Sequence, residues 1–293
     1  MSDPRVSARR ADRRVPLALA LAVASISFAA IFFRLASGTH PLVVAGTRLA
    51  IAAAVRAIPS VRAWRAGRLP PRVLRAAIAC GALYAVHFGA WVGSLELTSV
   101  ASSVTLVTAT PLLLGIAAIA GGRDTPEARH WLSIALAALG VALIGLADLS
   151  LSPSALRGDA LALLGAAAMA GYLWIVRSLG EDLDVLAFGG VATAAGALAL
   201  LGAALAIGEP IAYASSQSFL WIAMAALVPQ LVGHTLLTWS LRHTTPTVVG
   251  IATVGEPVGS TLLAWLWLHE SPSPLVLAGC AITLAAVVLS LRR

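Results

Sequence analysis

The sequence predicts an all-α polytopic membrane protein with ten transmembrane helices arranged as two inverted five-helix repeats. Three observations carry this expectation. The 293-residue chain is 59% hydrophobic and only 11% charged, against a charged fraction of roughly 25% in soluble domains. Its apolar residues fall in ten runs, each near the ~20 residues a helix needs to cross about 30 Å of hydrocarbon. A residue pattern also recurs at a constant offset: Pro111 and Pro257, like Pro126 and Pro272, stand 146 positions apart, half the chain.

Residues 1–15 form an Arg-rich tail holding Arg5, Arg9, Arg10, Arg13 and Arg14. The run at 16–36 is long for the apolar stretch of a secretory signal and many spans follow it, so it reads as an uncleaved first helix. It opens the first repeat (16–147), which continues with runs at 41–58, 74–95, 100–120 and 130–147. The second repeat (158–291) holds runs at 158–177, 186–207, 218–241, 246–268 and 274–291. Pro111, Pro229 and Pro257 interrupt spans 4, 8 and 9, where kinks are expected. Gly165 to Gly171, Gly189-Gly190 and Gly196 fit close helix approach, and equally helices that rock against one another. Cys80 and Cys280 lie inside apolar runs and read as inert packing thiols.

Charge sets the orientation. All twenty basic residues are Arg. With a cytoplasmic N-terminus, seventeen of them fall in cytoplasmic segments, Arg56 included, and Arg157 alone in an outer loop, while Arg34 and Arg48 lie within spans. Basic residues concentrate on the cytoplasmic side, so both termini are expected there, in the inner (plasma) membrane of the cell. Arg34, near an outer end, can snorkel to the headgroups. Glu96, Asp148, Glu209 and Glu270 fall at outer span ends and are expected in solvent. Trp131, Trp174, Trp221, Trp239, Trp265 and Trp267 stand near span ends, as an interfacial belt requires.

The repeat runs without a gap from Leu95 against Leu241 to Gly140 against Ala286. Each half holds an odd number of spans, so the second enters the membrane the other way up. Such duplication places a site near the midplane, between the halves.

At that depth the run Val248–Leu268 carries Glu256 followed by Pro257. A carboxylate mid-bilayer is unfavourable by roughly 2.5–3.5 kcal/mol on insertion scales, and Pro257 takes a donor from the backbone. Both are tolerated only against protein or a water-filled cavity. Glu256 has three readings: an ion pair with Arg48, which lies at a similar depth; a cap on the helix segment that Pro257 restarts; or a substrate or proton site.

At these residues the chain resembles the drug/metabolite transporter superfamily, in particular its EamA-like members with ten helices. The resemblance lies in HPLVVAGTRLAIAA at 40–53, LELTSVASSVTLVTATPLLLGIAAIAG at 95–121, and the stretch from Leu241 to Leu289 with its Glu-Pro helix. Two departures stand out. The Leu-Gly-Glu turn of the family is Leu268-His269-Glu270 here, with Gly122-Arg123-Asp124 as its first-half counterpart, and Thr110 occupies the position matching Glu256. The resemblance implies a carrier of small metabolites, often amino acids or related compounds.

Polar faces nominate the substrate-binding residues. Tyr84, His87 and Trp91 share one face of span 3, as their spacings of 3 and 4 require. Gln230 and His234 share a face of span 8, Thr253, Glu256 and Ser260 a face of span 9, and Thr105 and Thr108 lie on span 4. The candidate set is Tyr84, His87, Trp91, Thr108, Gln230, His234, Thr253 and Glu256; interhelical hydrogen bonding is the alternative for the Thr and Ser residues.

Other classes fall away. The chain has no lysine, which excludes a P-loop and a Schiff-base mechanism. His269-Glu270 lacks the second His of a zinc protease helix. No cofactor, metal or nucleic acid is expected; the partners are a small-molecule substrate and the lipid bilayer. The expected function is secondary active transport by alternating access, with export favoured and proton coupling as a hypothesis. A non-transporting structural or signalling protein, or an intramembrane enzyme, are the alternatives.

Overall fold

The fold described here is that of a computed structural model, covering residues 14–98, 100–121, 126–146, 152–180, 183–269 and 271–291. The tail to Arg13, together with Arg123, Asp124, Asp148, Glu270, Arg292 and Arg293, lies outside the described residues. Among the described residues there is no strand. Among the described residues nine helical stretches are long and apolar enough to cross a membrane, and a shorter apolar stretch, Ser102–Ala118, falls in the fourth span. The chain is an all-α, multi-pass membrane protein.

Span 1 is two helices, α1 (Arg14–Ile26) and α2 (Phe28–Leu35), jointed at Ser27. Spans 2 and 3 are α3 (Pro41–Arg65) and α4 (Pro71–Ser94). Span 4 is again split, into α5 (Val100–Val107) and α6 (Thr110–Gly121). Then come α7 (Ala128–Leu146), α8 (Pro153–Ser178) and α9 (Val185–Ala206). Span 8 joins α10 (Ser216–Ala225) to α11 (His234–Ser240) through a π-helical stretch, Ala226–Gly233. Span 9 is α12 (Pro246–Thr253) and α13 (Gly255–Leu268), and α14 (Pro274–Leu291) closes the bundle.

Helix starts follow from local chemistry. Helices α3, α8 and α12 each open on proline, whose missing N–H costs nothing in the first turn. Their caps are His40, Ser152 and Thr245, whose side chains accept from the amides of Leu42, Ala155 and Val248, satisfying donors that the helix leaves open.

Two helix pairs show how the halves are related. Along α3 and α9, Gly46 meets Leu200 and Leu201, while ten residues on Arg56 meets Gly189 and Gly190. Beyond them Ser60 Oγ donates to Ala187 O at 3.3 Å and Arg68 pairs with Asp184 at 2.6 Å. Numbers rise on one helix as they fall on the other, so spans 2 and 7 are antiparallel. Spans 5 and 10 behave alike, with Gly140 against Gly279 and Thr283, and Gly279 against Ile144. Each pair lies five spans apart in the chain. Equivalent spans of the two halves therefore run in opposite directions, as an inverted repeat demands.

One boundary differs from expectation. The run at 41–58 continues as helix to Arg65, through Pro59. Arg56 is therefore no cytoplasmic loop residue: it sits in α3 with 4% of its surface exposed. A charged final turn hides a helix end from a hydropathy reading, because long cationic side chains reach the headgroups while their backbone stays helical.

Candidate functional site

The broken span 9 lies against the breaks of both span 1, at Ser27, and span 4, where Pro111 meets Gly250. In span 9 the helix stops at Thr253 and restarts at Gly255, so the discontinuity precedes Pro257 instead of coinciding with it. Pro257 then occupies the first turn of α13, where no donor is required. Glu256 lies in that same turn, where the partial positive charge of a helix N-terminus favours a carboxylate. In span 4 the corresponding pair, Thr110-Pro111, opens α6, and Thr110 Oγ1 donates to Val107 O at 3.1 Å. The span 1 joint locks onto span 9: Ser27 Oγ lies 3.5 Å from Glu256 O and Ser260 Oγ donates to Ser27 O at 2.9 Å.

Beside these breaks, spans 1, 3, 6 and 8 supply a buried aromatic cluster. Tyr84 stacks on Tyr172 at 4.3 Å and meets Phe88 and His234 edgewise or tilted. His87 lies 4.5 Å from Phe88 and stacks on Trp91 at 6.0 Å, and Trp91 meets Phe33 at 5.5 Å. Backbone and hydroxyl partners hold the rings: His87 Nδ1 bonds Gly165 O at 2.8 Å, and Tyr172 and Thr238 share a 2.8 Å hydrogen bond. Gly165 brings α8 this close, since a Cβ there would meet His87 O at 3.3 Å.

Of the residues nominated on sequence, Tyr84, His87, Trp91, Gln230 and His234 are gathered here, all buried. Gln230 sits in the π-helical stretch. Its amide comes close to the Tyr84 hydroxyl without reaching hydrogen-bond geometry, and neither Gln230 Oε1 nor Nε2 has a partner among the described residues. Trp91 Nε1 is likewise unpartnered. Thr108 and Thr253 are not drawn into the cluster; each bonds back to its own helix, to Val104 O and Thr105 O and to Gly250 O. Glu96 is exposed at a cavity rim, and Cys80 and Cys280 are buried free thiols.

Two arginines change the picture drawn from sequence. Arg48 is wholly buried, yet among the described residues it makes no ion pair with Glu256. Its guanidinium lies instead between two rings, 4.2 Å from the centre of Phe88 and 5.2 Å from that of Phe33. Depth along a helix is legible in sequence, but the rotation that would aim one side chain at the other is not. Arg56 reaches across the bundle to Gln230 O at 3.3 Å and to Thr235 Oγ1, passing over Gly189 and Gly190. A π-helical stretch leaves carbonyls without regular partners, and Arg56 supplies one.

A cavity of about 880 Å³ enters from the end where spans 1, 3, 5 and 9 finish. Arg34, Glu96, Thr98 and Ser271 stand at its upper part, and Phe33, Val104, Pro257 and Ser260 line it deeper. It thus reaches Pro257, in the first turn of the restarted helix, and Phe33 both lines it and packs against Arg48; none of the eight residues nominated on sequence lines it. Among the described residues no group of three His, Cys, Asp or Glu side chains is placed to hold a metal ion.

The sequence matches the EamA-like transporter family twice, over residues 14–146 and 156–292. The chain belongs to the EamA-like transporter family. The two matches coincide with two halves of one architecture, and the drug/metabolite transporter superfamily is the wider group. A solved structure described only as "Crystal structure of protein" superposes with a TM-score of 0.77 at 16% identity, covering 94% of this chain and 96% of its own; that likeness concerns the fold alone. Among curated proteins none matches the sequence. As an EamA-like transporter the chain is a membrane protein that handles a small molecule.

Proposed function

We propose that this EamA-like transporter is a secondary active carrier that exports small metabolites, amino acids or related amphipathic compounds, across the cytoplasmic membrane by alternating access. Both termini face the cytoplasm, and the cavity faces outward. The observation that carries the reading is a cavity bordered by segments of broken spans from both halves, Phe33 and Val104 from one and Pro257 and Ser260 from the other. Broken helices place backbone groups and a helix terminus at a ligand, and jointed spans can tilt in segments, closing one face as the other opens. The binding residues are the gathered Tyr84, His87, Trp91, Gln230 and His234, with Glu256 at the restarted helix; Thr108 and Thr253, bonded back to their own helices, are left out of this set. No cofactor or metal takes part, and the stored gradient of an ion or of the substrate drives the cycle.

Glu256 is the proposed proton carrier: it has no hydrogen-bond or ion-pair partner among the described side chains, so its proton is free to exchange. The test is efflux from proteoliposomes loaded with a cell-extract pool of small molecules and profiled by mass spectrometry. Specific metabolites leave faster than from empty-membrane controls, and the Glu256→Gln variant loses acceleration by a pH gradient. A profile equal to the control would sink the transport reading, and gradient-driven flux unchanged in Glu256→Gln would sink the coupling.

A further inference from the structure

We propose that Arg48 is the docking group for a carboxylate on the transported molecule, and that Phe33 is the movable floor separating it from the outer cavity. The proposal rests on the transporter reading above and names the chemistry that the same site selects.

Arg48 carries a full charge at mid-membrane with no exposed surface. Its Nε and Nη1 atoms have no hydrogen-bond partner among the described residues. Cation–π contacts to Phe33 and Phe88 recover only part of what a guanidinium loses on leaving water. Such a group calls for an anion. Its planar fork fits the two oxygens of a carboxylate far better than any neutral acceptor.

The surroundings agree. Trp91 Nε1, a second orphaned donor, belongs to the ring that packs on Phe33 at 5.5 Å, so both donors border the same phenyl group. Donors without acceptors favour an anionic guest over a cationic one. Phe33 also lines the outer cavity. Turning that one ring aside would join the cavity to Arg48 and to the Trp91 indole.

The experiment uses purified full-length protein in detergent, and the probes are the common L-amino acids, their matching carboxamides, and phenylacetate against phenethylamine. A ligand that binds the folded form raises its thermal midpoint. Acids that shift the midpoint are expected to lose the effect on conversion to amides. Arg48→Lys keeps the cation without the fork and weakens carboxylate binding about tenfold or more; Arg48→Gln removes the preference for acids over amides. Phe33→Ala keeps that preference and speeds association.

Equal shifts by acids and amides, a carboxylate preference that survives in Arg48→Gln, or no shift by any acid would each overturn the proposal. If Arg48→Gln does not fold, the Arg48→Lys titration decides. Proteoliposome efflux separates the two claims: flux confined to molecules lacking an acid leaves transport standing and removes this proposal. Carboxylate binding at Arg48 without flux does the reverse.

Discussion

Ser260 Oγ donates to the Ser27 backbone oxygen at 2.9 Å, so the joint of span 1 is fastened to the second turn of the restarted helix in span 9. The fit is tight because Gly259 has no side chain: a Cβ there would run into Ser27 Oγ. Replacing Gly259 by Ala is expected to cost about 1–3 kcal/mol of stability, the usual penalty of overpacking. The Ser27→Ala change removes the nearer clashing atom, Oγ, and leaves only Cβ, at 2.7 Å. The double variant should therefore be more stable than the sum of the two single losses, a coupling that a double-mutant cycle of denaturation midpoints measures. Strict additivity would show that the two joints do not bear on one another.

The pairing of spans 5 and 10 makes a sharper contrast. A Cβ on Gly140 would come within 2.7 Å of Gly279 O and closer still to Thr283 Oγ1, whereas nothing lies within 4 Å of one on Gly202. Gly140→Ala should lower stability by roughly 1–3 kcal/mol. Gly202→Ala should raise it by up to about 1 kcal/mol, since alanine favours the helix where no neighbour objects. Thermal midpoints of the two variants in one detergent decide it; equal shifts would mean that the α7–α14 approach is looser than described.

Tyr172 ties span 6 to span 8 through its 2.8 Å hydrogen bond with Thr238, while its ring stacks on Tyr84. The two contributions separate in Tyr172→Phe and Tyr172→Ala. The first should lose about 1 kcal/mol, one buried hydrogen bond. The second should lose a further 2–4 kcal/mol, roughly the burial and cavity cost of an aromatic side chain. A phenylalanine variant as unstable as the alanine one would assign the role to the hydroxyl instead.

Much of this architecture was legible in the residues, for physical reasons. A bilayer imposes length and apolarity on every span, so α4, α9 and α14 stand out in the sequence with little help from packing. The duplication was readable because Thr110-Pro111 and Glu256-Pro257 hold equivalent places, and in the structure each pair opens a restarted helix. What stayed hidden depends on rotation and lateral neighbours. Ser27 is an ordinary residue in an apolar run, and nothing in its chemistry announces a joint. Arg56 resembled a loop cation because the segment after it is charged; only the facing Gly189-Gly190 pair, which opens room for a guanidinium, hinted otherwise. Arg48 and Glu256 share a depth by residue count, yet the side chain of Arg48 turns to Phe33 and Phe88. Pro229 promised a kink, and the chain absorbs it as a π-helical stretch whose carbonyl Arg56 then satisfies.

The outer cavity makes a prediction about which face of the membrane sees which residue. In a background where Cys80 and Cys280, both buried, are replaced by alanine, a single cysteine in place of Ser260 lines the cavity. A membrane-impermeant maleimide applied to intact cells should label it, because the cavity opens away from the end that carries Arg62, Arg65, Arg68, Arg72 and Arg75. A cysteine in place of the exposed Arg65 should react only in inside-out vesicles, where the cytoplasmic face is offered to the reagent. If both cysteines exchange their behaviour, the arginine bias has been assigned to the wrong side. If the cysteine at 260 stays silent from both sides while that at 65 reacts as expected, the orientation holds, but the path from the surface to the broken helices is shut in the membrane.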